Sequence, residues 1–158
     1  MPVGWGGFAP RPKGRGFPRF DKDLEGSLME LLKFLYLSSK YSELKKNFIP
    51  VTQEIDELWH YFIIQTAYYQ KLCSVLPGGA FLHHASLTFD EYREVKIKKD
   101  LIVEILRWIV LYVRNFGELK EDRLRHWFFI HAVKRTLNIS LMEMNRLAKD
   151  DTFFQRIA

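Results

Sequence analysis

The sequence predicts an all-α protein, a single-domain irregular bundle of about five helices that follows a basic N-terminal arm. Three observations predict this class. Apolar residues recur at helical spacing through long segments after residue 20. Helix start and stop signals bound these segments, and no alternating pattern indicates a β-strand or a hairpin. Hydrophobic residues make up 47% of the 158 residues, which is enough for the core of one ordinary domain.

The N-terminal arm, residues 1–20, is rich in Gly and Pro, and these residues prevent a stable helix or central strand. We therefore predict a disordered or extended arm, followed by a helical domain over residues 21–158. The arm contains four basic residues and no acidic residue, whereas the rest of the chain holds 20 basic and 19 acidic side chains. The net charge of +5 thus belongs almost entirely to the arm.

The first predicted helix runs from about residue 21 to 39, with Asp21 as its N-cap. The second opens at Thr52 and continues to residue 76, where Pro77-Gly78-Gly79 ends it. Its buried face is predicted to carry an almost unbroken stripe that includes Trp59, Tyr69 and Cys73. We expect Trp59 to be largely buried, and Cys73 to be an inert buried thiol.

Three helices are predicted in the C-terminal half of the chain. A long helix over residues 89–115 follows a capping-box pattern at Thr88 and Glu91, and Gly117 terminates it. A fourth helix covers residues 120–137. A second capping box, formed by Ser140 and Glu143, starts a short fifth helix.

Four residues between positions 56 and 84 form a candidate metal site. Asp56 and His60 are four residues apart on the second helix and therefore share one face. His83 and His84 follow a Gly turn, in a loop that can fold back along that helix. Imidazole and carboxylate groups suit a divalent zinc or iron ion. The structural alternative is that the aspartate only orients a histidine and that the paired histidines cap a helix end.

The same segment resembles a known family. IDELWHYFIIQTAYYQKLC, followed by GGAFLHH, is similar to the core motif of the glycine-rich domain-containing protein-like family, in particular its small bacterial members. The upstream ELLKFLYLSS resembles another segment of that family, so that the match covers roughly residues 28–86. The positions that fit the motif are Asp56, Glu57, Trp59, His60, Thr66, Tyr69, Cys73, Phe81, His83 and His84.

Two positions depart from the family motif. Phe62 occupies the position of a second helix histidine, and Ser86 that of a proline after the histidine pair. If the polar cluster of the family binds metal, this chain therefore lacks one potential ligand. The sequence contains no evident nucleophile or acid–base pair. We therefore favour a non-enzymatic protein-interaction module, which uses the N-terminal arm and an aromatic surface, over a metal-dependent activity.

The arm is the predicted partner-binding element, because its arginines alternate with glycines and aromatic rings. We expect a protein partner, and a nucleic acid bound through phosphate contacts and base stacking is the alternative. No segment reaches the roughly 20 apolar residues that a membrane span needs, so we expect a soluble, cytoplasmic protein without a membrane partner. The arm residues expected to contact the partner are Trp5, Phe8, Arg11, Lys13, Arg15, Phe17 and Arg19.

Overall fold

The computed structural model describes residues 23–46, 50–84 and 98–157. All regular secondary structure in these ranges is helical and no β-strand is present in them, which confirms the all-α class. They hold eight α-helices and one short 3-10 helix at Ser42–Lys46, more than the five helices predicted. The α-helices are α1 (Leu24–Lys40), α2 (Gln53–Ile64), α3 (Thr66–Val75), α4 (Lys98–Phe116), α5 (Glu121–Leu124), α6 (Phe128–Leu137), α7 (Leu141–Lys149) and α8 (Asp151–Ile157).

Two of the predicted helices are each divided in two. The second predicted helix breaks at Gln65, whose ψ of 59° is far from the helical value. The fourth breaks between α5 and α6, over residues 125–127. Neither break contains a Gly or Pro residue, so the sequence carries no local signal for it.

Side chains cap the N-termini of α1 and α7. The prediction of Asp21 as the first N-cap is wrong, because Asp23 holds that position and accepts a hydrogen bond from the Gly26 amide at 2.9 Å. The capping box of Ser140 and Glu143 is confirmed. Gly117, with a φ of 86°, ends α4 as predicted. The capping box at Thr88 and Glu91 lies outside the described residues.

Helix α4 forms the centre of the C-terminal half of the fold. It packs against α1, α6, α7 and α8. Seven residues of its last three turns are buried with at most 5% exposure, so it is apolar around most of its circumference there. The buried residues of this stretch are Ile105, Trp108, Ile109, Val110, Leu111, Tyr112 and Val113.

A buried carboxylate links α1 to this half of the protein. Glu30 on α1 is fully buried, and its side chain accepts hydrogen bonds from the Tyr112 hydroxyl (3.0 Å) and the Trp127 indole (2.9 Å). Lys33 donates to the other carboxylate oxygen at 2.9 Å and to the Tyr112 hydroxyl at 2.7 Å. Burial, together with the neighbouring Glu30 charge, raises the pKa of Tyr112, so its hydroxyl remains a neutral donor. All three donors therefore depend on one carboxylate.

We predict that Glu30→Ala lowers the free energy of unfolding by about 3 kcal/mol, because it leaves three buried or half-buried donors without their acceptor. Glu30→Gln should cost less, since the amide keeps the shape and one acceptor oxygen. Urea unfolding followed by circular dichroism measures both losses. Glu43→Ala, at an exposed position of the 3-10 helix, is the control and should change stability by less than about 0.5 kcal/mol. An equal loss in Glu30→Ala and Glu43→Ala would contradict this role.

Candidate metal centre

Helix α2 presents an aspartate and a histidine on one face. Thr52 is the N-cap of α2, and Asp56 and His60 follow one turn apart, beside the buried Ile55 and Trp59. The Nδ1 atom of His60 lies 2.7 Å from the backbone oxygen of Asp56. Because a carbonyl oxygen can only accept, this nitrogen carries the proton, and the lone pair of the neutral ring is then on Nε2. The His60 side chain is half exposed to solvent.

The segment 81–84 lies beside α2 outside any helix, and the exposure of its side chains alternates as in an extended chain. Leu82 and His84 face the protein, whereas Phe81 and His83 are exposed. The His84 Nε2 lies 2.6 Å from the Asp56 Oδ1. The His84 ring also contacts two rings of α2, with centroid distances of 4.1 Å to His60 and 4.5 Å to Trp59.

A buried tyrosine holds this segment in place. Tyr69 on α3 is fully buried, and its hydroxyl accepts a hydrogen bond from the Trp59 indole at 2.8 Å. The same hydroxyl donates to the backbone oxygen of Leu82 at 2.7 Å. Burial raises the pKa of Tyr69 above its ordinary value, so the hydroxyl keeps its proton for this bond at physiological pH. One oxygen atom thus ties α2, α3 and the segment 81–84 together.

Asp56, His60 and His84 form a three-residue cluster of potential metal ligands. One ligand atom from each residue lies within 4.8 Å of the others. His83, the fourth residue of the predicted site, is outside this cluster, because its ring turns outward and packs on Phe81 at 4.9 Å between centroids. The alternation of the extended segment is the physical reason: only one of two consecutive side chains can face α2.

The neighbouring apolar residues lie where the sequence predicts them. Trp59 is 4% exposed, and its ring packs edge-on against Phe34 of α1 at 5.1 Å. Cys73 is buried on the same stripe, one turn after Tyr69. The predictions of a buried Trp59 and a buried Cys73 are therefore confirmed. Trp59 and Cys73 thus belong to the buried apolar surface beside Asp56, His60 and His84.

The predicted partner-binding residues of the arm, from Trp5 to Arg19, lie outside the described residues. The arm's role in binding a protein or a nucleic acid therefore stays a prediction.

Within residues 23–46, 50–84 and 98–157, no helix combines the length and apolar character that crossing a membrane requires.

Comparison of the chain with models of protein families, with curated proteins and with solved structures gave no match. The resemblance to the glycine-rich domain-containing protein-like family thus rests on the motif residues alone, and stays a prediction.

Two features of the site could not be assigned from the sequence. Tyr69 was predicted only as part of an apolar stripe, whereas its hydroxyl is the contact that positions His84 through Leu82. The choice of His84 over His83 was also open. The alternation along residues 81–84 is a sequence signal for the second feature. Leu82 is buried, and His84, two residues later, lies on the same side of the chain as Leu82.

We predict that Tyr69→Phe lowers the free energy of unfolding by about 2–3 kcal/mol, because two buried groups, the Trp59 indole and the Leu82 carbonyl, each lose a hydrogen-bond partner. Chemical denaturation followed by tryptophan fluorescence measures the loss. Tyr68→Phe is a matched control, since Tyr68 is the adjacent residue and is 73% exposed. Its change should stay within about 0.5 kcal/mol. Equal stability of the two variants would show that the Tyr69 hydroxyl does not support the site.

Proposed function

We propose that this chain binds one divalent transition-metal ion, of the Zn²⁺ or Fe²⁺ class, through Asp56, His60 and His84. The observation that carries this proposal is the convergence of two imidazoles and a carboxylate from two separate segments, with ligand atoms within 4.8 Å of one another. Two histidines and one carboxylate are a donor set that proteins use for both zinc and iron.

The hydrogen bonds of the cluster are compatible with this role. The bond from His60 Nδ1 to the Asp56 backbone oxygen fixes the ring and directs the metal to Nε2. The His84 Nε2 and the Asp56 Oδ1 form a hydrogen bond of 2.6 Å, and a cation that replaces the proton of this bond is bound by both groups. A tetrahedral ion with bonds of about 2.0–2.1 Å separates its ligands by roughly 3.4 Å. Binding therefore needs the Asp56 and His84 ligand atoms to move apart, and any pair of ligand atoms near the 4.8 Å limit to approach.

The proposed site has an open side. His84 is almost enclosed, with 9% of its side chain exposed, whereas 29% of the Asp56 side chain and 50% of the His60 side chain are exposed. Three protein ligands leave at least one coordination position of a four-coordinate ion for water or a small ligand. Among the described residues the ligand set has three members. Phe62, which stands where the resembled motif has a second helix histidine, cannot contribute a fourth. Three protein ligands and an open coordination position are typical of metal sites that bind water or a substrate, whereas structural zinc sites are closed by four protein ligands.

Calorimetric titration of tag-free, chelator-treated protein with ZnCl₂, and under anaerobic conditions with Fe²⁺, tests the proposal. We expect one ion per chain. His60→Ala, His84→Ala and Asp56→Asn should each weaken binding at least tenfold, because even the loss of outer hydrogen-bond partners of metal ligands costs about 10- to 100-fold.

His83→Ala is the matched control, since it removes an imidazole from the adjacent, outward-facing position and should leave the affinity unchanged. His131→Ala, at an exposed position of α6, controls for non-specific surface binding. Absence of stoichiometric binding by the wild-type protein would refute the proposal. An equal loss of affinity in His83→Ala and His84→Ala would refute this ligand set.

A further inference from the structure

His126 is a buried histidine in the break between α5 and α6. It is 1% exposed, and its Nε2 accepts a hydrogen bond from the Arg125 Nε at 3.3 Å. Because a guanidinium group can only donate, Nε2 carries the lone pair of a neutral ring, and the ring proton is on Nδ1. This Nδ1 is buried and has no hydrogen-bond partner within residues 23–46, 50–84 and 98–157. The fold therefore holds His126 in one neutral tautomer.

A protonated His126 does not fit this position. Both ring nitrogens of an imidazolium donate, so the Nε2 proton would face the Nε proton of Arg125, and two positive charges would lie side by side away from bulk water. Arg123 of α5, whose backbone oxygen accepts from the His126 amide at 3.2 Å, brings a second guanidinium to this region. Burial, followed by the charge of Arg125, accordingly lowers the pKa of His126 below its ordinary value. Protonation thus removes the hydrogen bond that holds the ring.

The carboxylates around His126 oppose this effect without supplying an acceptor. The negative charges of Glu54, Glu30 and Asp23 each raise the pKa of His126, but together they do so by less than burial and Arg125 lower it. In the described part of the chain, none of these carboxylates is hydrogen-bonded to His126. They have other donors: the Ser27 hydroxyl binds Glu54 at 2.7 Å, the Tyr112 and Trp127 side chains bind Glu30, and the Gly26 amide and the Arg125 guanidinium bind Asp23.

The backbone of His126 holds the start of α2. The Thr52 amide donates to the His126 carbonyl oxygen at 3.1 Å. Thr52 is the N-cap of α2, but its hydroxyl makes no capping bond and is a buried group without a partner among the described residues. The Asp56 amide donates to the Thr52 carbonyl oxygen at 3.0 Å, which is the first bond of the helix. The contact between His126 and Thr52 therefore fixes the turn of α2 that carries Asp56.

We propose that His126 is a pH switch, in which protonation of the ring opens the contact between the α5–α6 break and the N-terminal turn of α2. The charged ring moves toward water, and the His126 carbonyl oxygen leaves the Thr52 amide. The hydrogen bond between Ser27 and Glu54 still joins this turn to α1, so the turn loosens while the buried face of α2 stays packed. A weaker metal site in acid, because Asp56 is less well fixed, rests on the proposed function, whereas the opening itself does not.

The direction of the pH dependence follows from the lowered pKa of His126. In the open state the ring is in water and has its ordinary pKa of about 6.5. The closed state binds the proton less well, so the contact is fully formed above about pH 6.5 and is lost as the pH falls from there towards the lowered pKa of the closed state. Over this window the equilibrium constant for opening rises by up to about tenfold per pH unit. The hydrogen bond from the Gly26 amide lowers the pKa of Asp23, so this carboxylate stays ionised over the same window.

NMR spectroscopy of the metal-free full chain tests the proposal. The ring chemical shifts of His126 report its tautomer and its titration, and exchange of the Thr52 amide with deuterium reports the opening. We expect the Nδ1-protonated tautomer at about pH 7.5. By about pH 5.5 the protection of the Thr52 amide, corrected for intrinsic exchange, should fall several-fold. The protection of the Met144 amide, which donates to Ser140 in the first turn of α7, should stay constant.

His126→Gln separates this switch from the titration of other groups. Its amide oxygen can accept from Arg125 but does not titrate, so the protection of Thr52 should stay nearly constant over the same pH range. Since this variant keeps every other histidine, any change that remains in it measures their effect. His131→Gln, which removes an exposed histidine of α6, is the matched control and should behave like the wild-type protein.

Three results would overturn the proposal. The first is an Nε2-protonated neutral tautomer of His126, which is observed in the wild-type protein and requires no variant to fold. The second is an equal fall in the protection of Thr52 in the wild-type protein and in His126→Gln. The third is an equal fall at Thr52 and Met144, because the whole fold would then loosen in acid rather than one contact. None of these results depends on metal binding, since the protein carries no metal in the experiment.

Discussion

The hydroxyl group of Tyr69 is the contact on which the candidate site depends. It accepts from the Trp59 indole of α2 and donates to the backbone of Leu82, so it fixes the distance between α2 and the extended segment 81–84. In a continuous helix Trp59 and Tyr69 would be separated by about 15 Å along the axis. The break at Gln65 lets the two side chains meet. A polar contact inside an apolar wall thus determines where His84 lies relative to Asp56 and His60.

A second buried polar group has the corresponding role in the rest of the protein. Glu30 of α1 holds donors from α4 and from Trp127, which precedes α6, so that α1 stands between the two halves of the described chain. Around both contacts the core is aromatic: Phe34 packs on Trp59 and on Trp108, and Trp127 packs on Trp108 and Tyr112. These rings pack against one another around both contacts, and the two polar groups determine which helices approach each other.

Local sequence and long-range contacts determine different parts of this structure. The helical class, Gly117 and the Ser140 capping box follow from neighbouring residues, and sequence patterns predicted them. The break at Gln65 carries no Gly or Pro signal, and the contact between Tyr69 and Leu82 that positions His84 forms only in the folded chain. In the Glu30 network, Tyr112 and Trp127 are 82 and 97 positions away from Glu30 in the sequence. No local sequence pattern indicates these contacts. Asp56 and His60 were predicted as a pair because helical spacing alone places them on one face.

The central claim is that Asp56, His60 and His84 bind one metal ion. X-ray diffraction from crystals of the zinc-loaded protein, recorded on both sides of the zinc absorption edge, tests it most directly. The claim predicts one strong anomalous peak, about 2.0–2.2 Å from a nitrogen of His60, a nitrogen of His84 and a carboxylate oxygen of Asp56. It is contradicted if fully loaded crystals show no peak there, or if the peak lies at other residues while the Asp56–His84 hydrogen bond remains intact.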